Sequence, residues 1–162
     1  MPSPEKVASK HRFVDFLATK NLRLTSQRQA IIDTVFETDR HFTAEQLLEW
    51  SKCRDKSVSR ATVYRTLPLL TESGLVREVD FGGDHKYYDP NYADHPEHNH
   101  IICSDCDKIV EFESDKIEKL EKEISHELGF SVKAQRLQIT ATCDEFKKLG
   151  RCTKKTCDAV HK

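Results

Sequence analysis

Apolar residues recur at spacings of three and four through the first seventy positions and at spacings of two afterwards, which predicts helices followed by strands. Residues 5–20 gather Val7, Phe13, Val14, Phe16 and Leu17 on one side of a first helix. Thr25 or Ser26 caps a second, which buries Ile31, Ile32, Val35 and Phe36. Thr43 caps a third, where Ala44, Leu47, Leu48 and Ser51 fall on one stripe. Ser59 opens a fourth, with Val63, Leu67 and Leu70 inward and Thr62, Tyr64 and Arg65 toward other sides, so its polar face is open to a partner. Pro68 lies inside that helix, where it removes the bond to the Tyr64 carbonyl at a cost of about 3 kcal/mol. A kink or an early end is expected there.

Gly74 closes the helical region, and residues 75–81, Gly82-Gly83 and residues 85–89 read as a hairpin. Helices followed by a hairpin make a winged helix. Pro90 and Pro96 bracket a stretch poor in apolar residues, a hinge between domains. Two strands joined by a Cys-x-x-Cys knuckle follow, around Ile101-Ile102 and Ile109-Val110. Ser114 then caps a helix expected to bury Ile117, Leu120, Ile124 and Leu128. Residues 130–143 read as one long strand whose alternation slips, so a bulge or break is expected near Gln135. The tail after residue 144 has cysteines but little to bury. The expectation is an α+β chain: a winged helix over 1–89, a hinge over 90–97 and a smaller α/β domain over 98–162.

The chemistry concentrates in His98-Asn99-His100-Ile101-Ile102-Cys103-Ser104-Asp105-Cys106. Side chains alternate faces along a strand, so His98 and His100 share one side and Cys103 points to the other. Two metal sites are therefore implied. The cysteines suit a closed tetrahedral zinc site completed by Cys143 and by Cys152 or Cys157, with Cys152 favoured. A redox dithiol is the competing reading of such a pair. Cys53, at a helix end, reads as a small buried hydrophobe rather than a ligand. Paired strand histidines alone are a weak metal signal. Glu111 on the adjoining strand, Asp89 at the end of the wing and His41 in an interhelical loop supply further nitrogen and oxygen donors, although His41 taken singly reads as an exposed loop residue.

Composition narrows the class. The chain has 162 residues, 37% hydrophobic and 33% charged, with six cysteines and a net charge of −1. It reads as globular, and no apolar run approaches membrane-spanning length. Charges scattered through the first twenty residues break up any signal-peptide core, so the cytoplasm is expected, where cysteines serve as ligands or thiols rather than disulfides. A net charge this close to zero announces no global field for nucleic acid. Lys20, Arg23 and Arg28, and later Arg60, Arg65 and Arg77, leave a local basic face available. Thr62, Tyr64 and Arg65 on a helix after a turn would suit the major groove, against an ordinary solvated face.

Four strings carry a resemblance over nearly the whole chain: Leu24-Thr25-Ser26-Gln27-Arg28, Thr43-Ala44-Glu45-Gln46-Leu47, Ala61-Thr62-Val63-Tyr64-Arg65-Thr66-Leu67, and His98-x-His100-x-x-Cys103-x-x-Cys106. Together they resemble the ferric uptake regulator family of bacterial metal-dependent repressors. The resemblance implies a homodimer with N-terminal winged helices for operator DNA and C-terminal α/β dimerisation domains. It implies structural Zn²⁺ and a regulatory metal, Fe²⁺ foremost and otherwise Zn²⁺ or Mn²⁺, held by His41, Asp89, His98, His100 and Glu111. It also places Tyr64 and Arg65 in the major groove and Arg23 in the minor groove.

This chain departs from the family pattern in places. A further family site built from two His, an Asp and a Glu falls here on Glu97, Asn99, Glu118 and Gln135, so that site is not expected. The wing carboxylate is usually Glu in iron sensors and Asp in peroxide sensors, and here it is Asp89, while Glu111 keeps the longer side chain, unlike the peroxide branch. The last cysteines are more widely spaced than the common ending. An iron-responsive repressor is the leading expectation, with a zinc-uptake or peroxide regulator as alternatives. From another class, a zinc hydrolase would use His98 and His100 with Glu111 as general base, but five protein ligands would leave its metal no open position.

Overall fold

The computed structural model describes residues 4–90, 98–105 and 108–151. The chain divides into two compact units, whose described residues are 4–90 and 98–151. The first opens with four helices: α1 (Pro4–Thr19), α2 (Ser26–Glu37), α3 (Ala44–Arg54) and α4 (Arg60–Glu72). Local sequence starts three of them. Thr25, Thr43 and Ser59 accept hydrogen bonds from the amides of Arg28, Gln46 and Thr62, and Gln46 returns a bond to the Thr43 amide to complete a capping box. The apolar stripes meet in one core that includes Phe13, Leu17, Ile31, Val35, Phe36, Leu47, Val63 and Leu70.

The early end expected as one outcome of Pro68 does not occur: α4 runs on past it to Glu72. Val63, Leu67 and Leu70 lie on both sides of the proline and are all buried, so core packing outweighs the missing backbone bond. Gly74, at φ +72°, turns the chain out of the helix. The wing is shorter than alternation implied. Strand β1 (Arg77–Val79) pairs antiparallel with β2 (Tyr87–Asp89), while Leu75 and Val76 join the helical core instead.

The second unit is a three-stranded sheet of order β4-β3-β5 with two helices. Its central strand β3 (Asn99–Cys103) pairs antiparallel with β4 (Ile109–Phe112) and parallel with β5 (Gln138–Ala141). Helix α5 (Asp115–Glu127) carries the chain between β4 and β5, and α6 (Asp144–Leu149) follows. Three expectations fail here. The strand expected over 130–143 begins only at Gln138, and Phe130 and Val132, in the other phase, stay exposed. Ser114 occupies the N-cap of α5 but its side chain makes no capping bond. The apolar stripe of α5 is not buried: Leu120, Ile124 and Leu128 are exposed in the single chain. The short α6, ended by Gly150 at φ +63°, had no apolar pattern to announce it.

Candidate metal centres and nucleic-acid face

Backbone register builds half of one donor set within the first unit. Phe42 and Tyr88 exchange hydrogen bonds of 3.1 and 2.8 Å in an isolated antiparallel bridge. That bridge sets residue 41 opposite residue 89, and His41 Nε2 lies 3.8 Å from Asp89 Oδ2. His41 is buried, which overturns its reading as an exposed loop histidine. Phe81 of the wing meets its ring edge-on at 5.5 Å. Phe42 packs on Trp50 and Tyr88, so the backbone that carries His41 is anchored in the core.

The second unit builds another donor set by strand pairing. His100 stands directly opposite Glu111, and His98 precedes it on the same face. The His98 and His100 rings sit 4.5 Å apart, and His98 Nε2 is 3.7 Å from Glu111 Oε1. One donor atom from each of the three lies within 4.8 Å of the others. Both carboxylate–imidazole separations exceed a hydrogen bond. They approach the separation of about 3 to 3.5 Å between two ligands that each stand about 2.1 Å from one ion. Imidazole nitrogens with carboxylate oxygens suit a borderline divalent metal such as Zn²⁺ or Fe²⁺.

The parity argument for the cysteines agrees with the strand. Cys103 ends β3 on the face opposite His100, is buried, and pairs in register with Ala141. Cys143, half-buried, comes two residues after that partner and caps α6. Parallel pairing thus delivers both to the same end of the sheet. Cys106, Cys152 and Cys157 lie outside the described residues. Cys53 is exposed and directs its thiol to the Glu49 carbonyl at 3.5 Å, so its reading as a buried hydrophobe was wrong.

On α4, Tyr64 and Arg65 are exposed and Thr62 is partly buried, held by a 2.6 Å bond from its hydroxyl to Gln27 Oε1. Arg23 is exposed before α2, and its carbonyl accepts from Arg28 at 2.7 Å. Sequence reasoning missed Glu45 on α3. Its Oε1 accepts from the Tyr64 hydroxyl at 2.9 Å and from Arg60 at 2.6 Å, and this contact raises the Tyr64 pKa.

A winged helix with an exposed fourth helix, followed by a small sheet carrying imidazole, carboxylate and thiol donors, defines a metal-responsive transcription regulator. The model of the ferric uptake regulator family matches residues 19–140. A ferric uptake regulation protein of Campylobacter jejuni is 38% identical over 136 residues, covering 83% of this chain and 85% of its own. The peroxide operon regulator of Bacillus subtilis is 33% identical over 135 residues, covering 83% and 91%. A solved zinc-bound manganese uptake regulator superposes with a TM-score of 0.69 at 28% identity, covering 81% of this chain and 98% of that one. The chain belongs to the ferric uptake regulator family, whose members are dimeric, DNA-binding transcriptional regulators and not enzymes. Among the described residues no helix is long and apolar enough to cross a membrane.

Proposed function

We propose that this protein is an iron-responsive repressor that binds operator DNA as a metal-loaded homodimer in the cytoplasm. The carrying observation is the pair of donor sets, buried His41 with buried Asp89 and buried His98 and His100 with the partly exposed Glu111, each spaced as metal ligands rather than as hydrogen-bond partners. In this reading residues 1–89 bind DNA, 98–162 dimerise, and 90–97 is the hinge. One regulatory ion takes all five side chains and so fixes the two domains relative to each other. A ligand that favours the DNA-competent arrangement shifts the population toward it.

Cys103, Cys106, Cys143 and Cys152, with Cys157 as the alternative fourth ligand, hold the structural zinc. Thr62, Tyr64 and Arg65 face the major groove and Arg23 the minor groove. The exposed Leu120, Ile124 and Leu128 on α5 and Ile139 on β5 supply apolar area for a second copy. Asp89 favours a second reading, peroxide sensing through iron, because the resemblance associates aspartate at the wing with that branch, whereas Glu111 speaks for plain iron response. Operator titrations under anaerobic Fe²⁺, Mn²⁺ and Zn²⁺, repeated after peroxide, test both readings. Tight binding with Fe²⁺ that survives peroxide supports the iron reading. Irreversible loss after peroxide replaces it with the second, and metal-independent binding removes both.

A further inference from the structure

Arg60 and Tyr64 stand one helical turn apart on α4 and so share a face. Both reach across to α3 and converge on a single atom: the Tyr64 hydroxyl at 2.9 Å and Arg60 Nη1 at 2.6 Å donate to Oε1 of Glu45. The hydrogen bond to this carboxylate is also what raises the Tyr64 pKa. Glu45 is itself well placed. It lies in the first turn of α3, beside the Thr43–Gln46 capping box, where unpaired backbone amides favour a negative charge. On the other flank of the α4 start, Gln27 Oε1 accepts from the Ser59 amide at 3.3 Å and from the Thr62 hydroxyl at 2.6 Å, so the helix is held from both sides.

An acid on a face that meets a polyanion is not there for stability. The Arg60 and Glu45 side chains are 64% and 49% exposed, and a pair so exposed contributes little to folding. Nor does it serve affinity. Arginines and hydroxyls are usual donors to phosphate oxygens, and phosphate contacts supply affinity that carries no sequence information. Glu45 takes up one donor of each kind.

We propose that Glu45 is a specificity-determining residue of the operator-binding face, engaging Arg60 and Tyr64 so that arbitrary duplex, which is held by phosphate contacts, binds weakly. This rests on the reading of α4 as the helix that meets DNA. Two routes give the same result. If Arg60 stays with Glu45, it offers no charge to a phosphate. If it moves to one, Glu45 stands uncompensated beside the DNA backbone, and like-charge repulsion offsets the new contact. In the sequence-specific complex the penalty is smaller, because Tyr64 belongs in the groove there and the bond to its hydroxyl pre-sets the ring. Discrimination is a difference of affinities, and Glu45 widens it from the non-specific side.

The test is fluorescence anisotropy on the Fe²⁺-loaded dimer under anaerobic conditions. A duplex selected by the wild type from a random pool is compared with a scrambled duplex of the same composition, between about 50 and 200 mM KCl. Glu45→Gln removes the charge but keeps the size and an acceptor oxygen. It should bind the scrambled duplex about tenfold more tightly at low salt, and the selected duplex at most about threefold more tightly. The slope of log K against log salt on the scrambled duplex should steepen by about one for each protomer. Adding Arg60→Gln to Glu45→Gln should return that slope to the wild-type value. A purely structural role predicts the opposite sign, since a disturbed α4 loses affinity. Loss on either duplex, an equal gain on both, a gain that survives in the double variant, or wild-type values throughout would each overturn the proposal, and Arg65→Ala tells which reading has failed. If Arg65→Ala still weakens binding to the selected duplex, only the role of Glu45 falls; if it binds as the wild type does, the assignment of α4 to DNA falls with it.

Discussion

The Tyr64 hydroxyl donates to the carboxylate of Glu45 at 2.9 Å, and Arg60 reaches the same oxygen, so an acid on α3 occupies two side chains of the exposed helix α4. Arg65 makes no ion pair among the described residues, which leaves it as the cation on this face best placed to meet a base edge. Arg65→Ala is therefore expected to weaken specific operator binding by about 1 to 3 kcal/mol with metal content unchanged. Arg60→Ala should cost distinctly less, since its charge is already countered. Fluorescence anisotropy on a specific and a scrambled duplex separates the two. Equal losses from both variants, on both duplexes, would reduce α4 to a phosphate contact.

Stability at acid pH should depend on Glu37. Burial pushes its carboxyl upward, but hydrogen bonds from Lys10 and Arg54 more than offset this and hold it below the usual 4.5. A carboxyl depressed in the folded state stabilises the fold above its unfolded value, and that stability is lost as pH falls through the folded value. The group is one-third exposed, so the contribution is modest. Glu37→Gln should lower the melting temperature by about 1 to 3 °C at pH 7. The gap should close on acidification below pH 4.5. A difference that persists undiminished at pH 3 would point to lost packing rather than lost charge.

Helix starts were legible because the capping residues Thr25, Thr43 and Ser59 act within three positions of themselves, and the separation of His98 and His100 from Cys103 followed from strand parity alone. What escaped the sequence depends on partners far along the chain. The burial of His41 needs the Phe42–Tyr88 bridge, between residues 46 positions apart. The Glu45–Tyr64 contact needs α3 to cross α4, and nothing local encodes it. The amphipathic pattern of α5 was read correctly as apolar, but one chain provides no cover for it. Residues 130–137 looked like strand because Phe130 and Val132 alternate; with no partner strand, alternation alone did not make one.

The zinc assignment predicts a joint loss. Structural zinc contributes folding free energy directly, and Cys103 and Cys143 sit at one end of the sheet through the Cys103–Ala141 pairing. Cys103→Ser should lose zinc and dimer together, read by elemental analysis and sedimentation. Cys53→Ser, at an exposed thiol, should keep both. Retention of one zinc per chain by Cys103→Ser would refute the thiolate site. Zinc kept by Cys152→Ser and lost by Cys157→Ser would move the fourth ligand to Cys157.

If one ion takes both donor sets, metal and DNA must be thermodynamically linked. Whatever factor the metal adds to operator affinity, operator must add to metal affinity. His98→Ala and Asp89→Ala each remove a donor from a different set, His98 from the sheet and Asp89 from the wing. Both should lower metal-dependent operator affinity by about tenfold or more, a coupling of the 1 to 3 kcal/mol typical of such switches, while structural zinc and dimer remain. Metal-free binding should be the same in the variants as in the wild type, because neither side chain faces DNA in this reading. The measurement is an operator titration with and without Fe²⁺, paired with a Fe²⁺ titration with and without operator. Two ions taken up independently at the two donor sets, with operator affinity untouched by Asp89→Ala, would break the link between wing and sheet and leave the metals without a regulatory role.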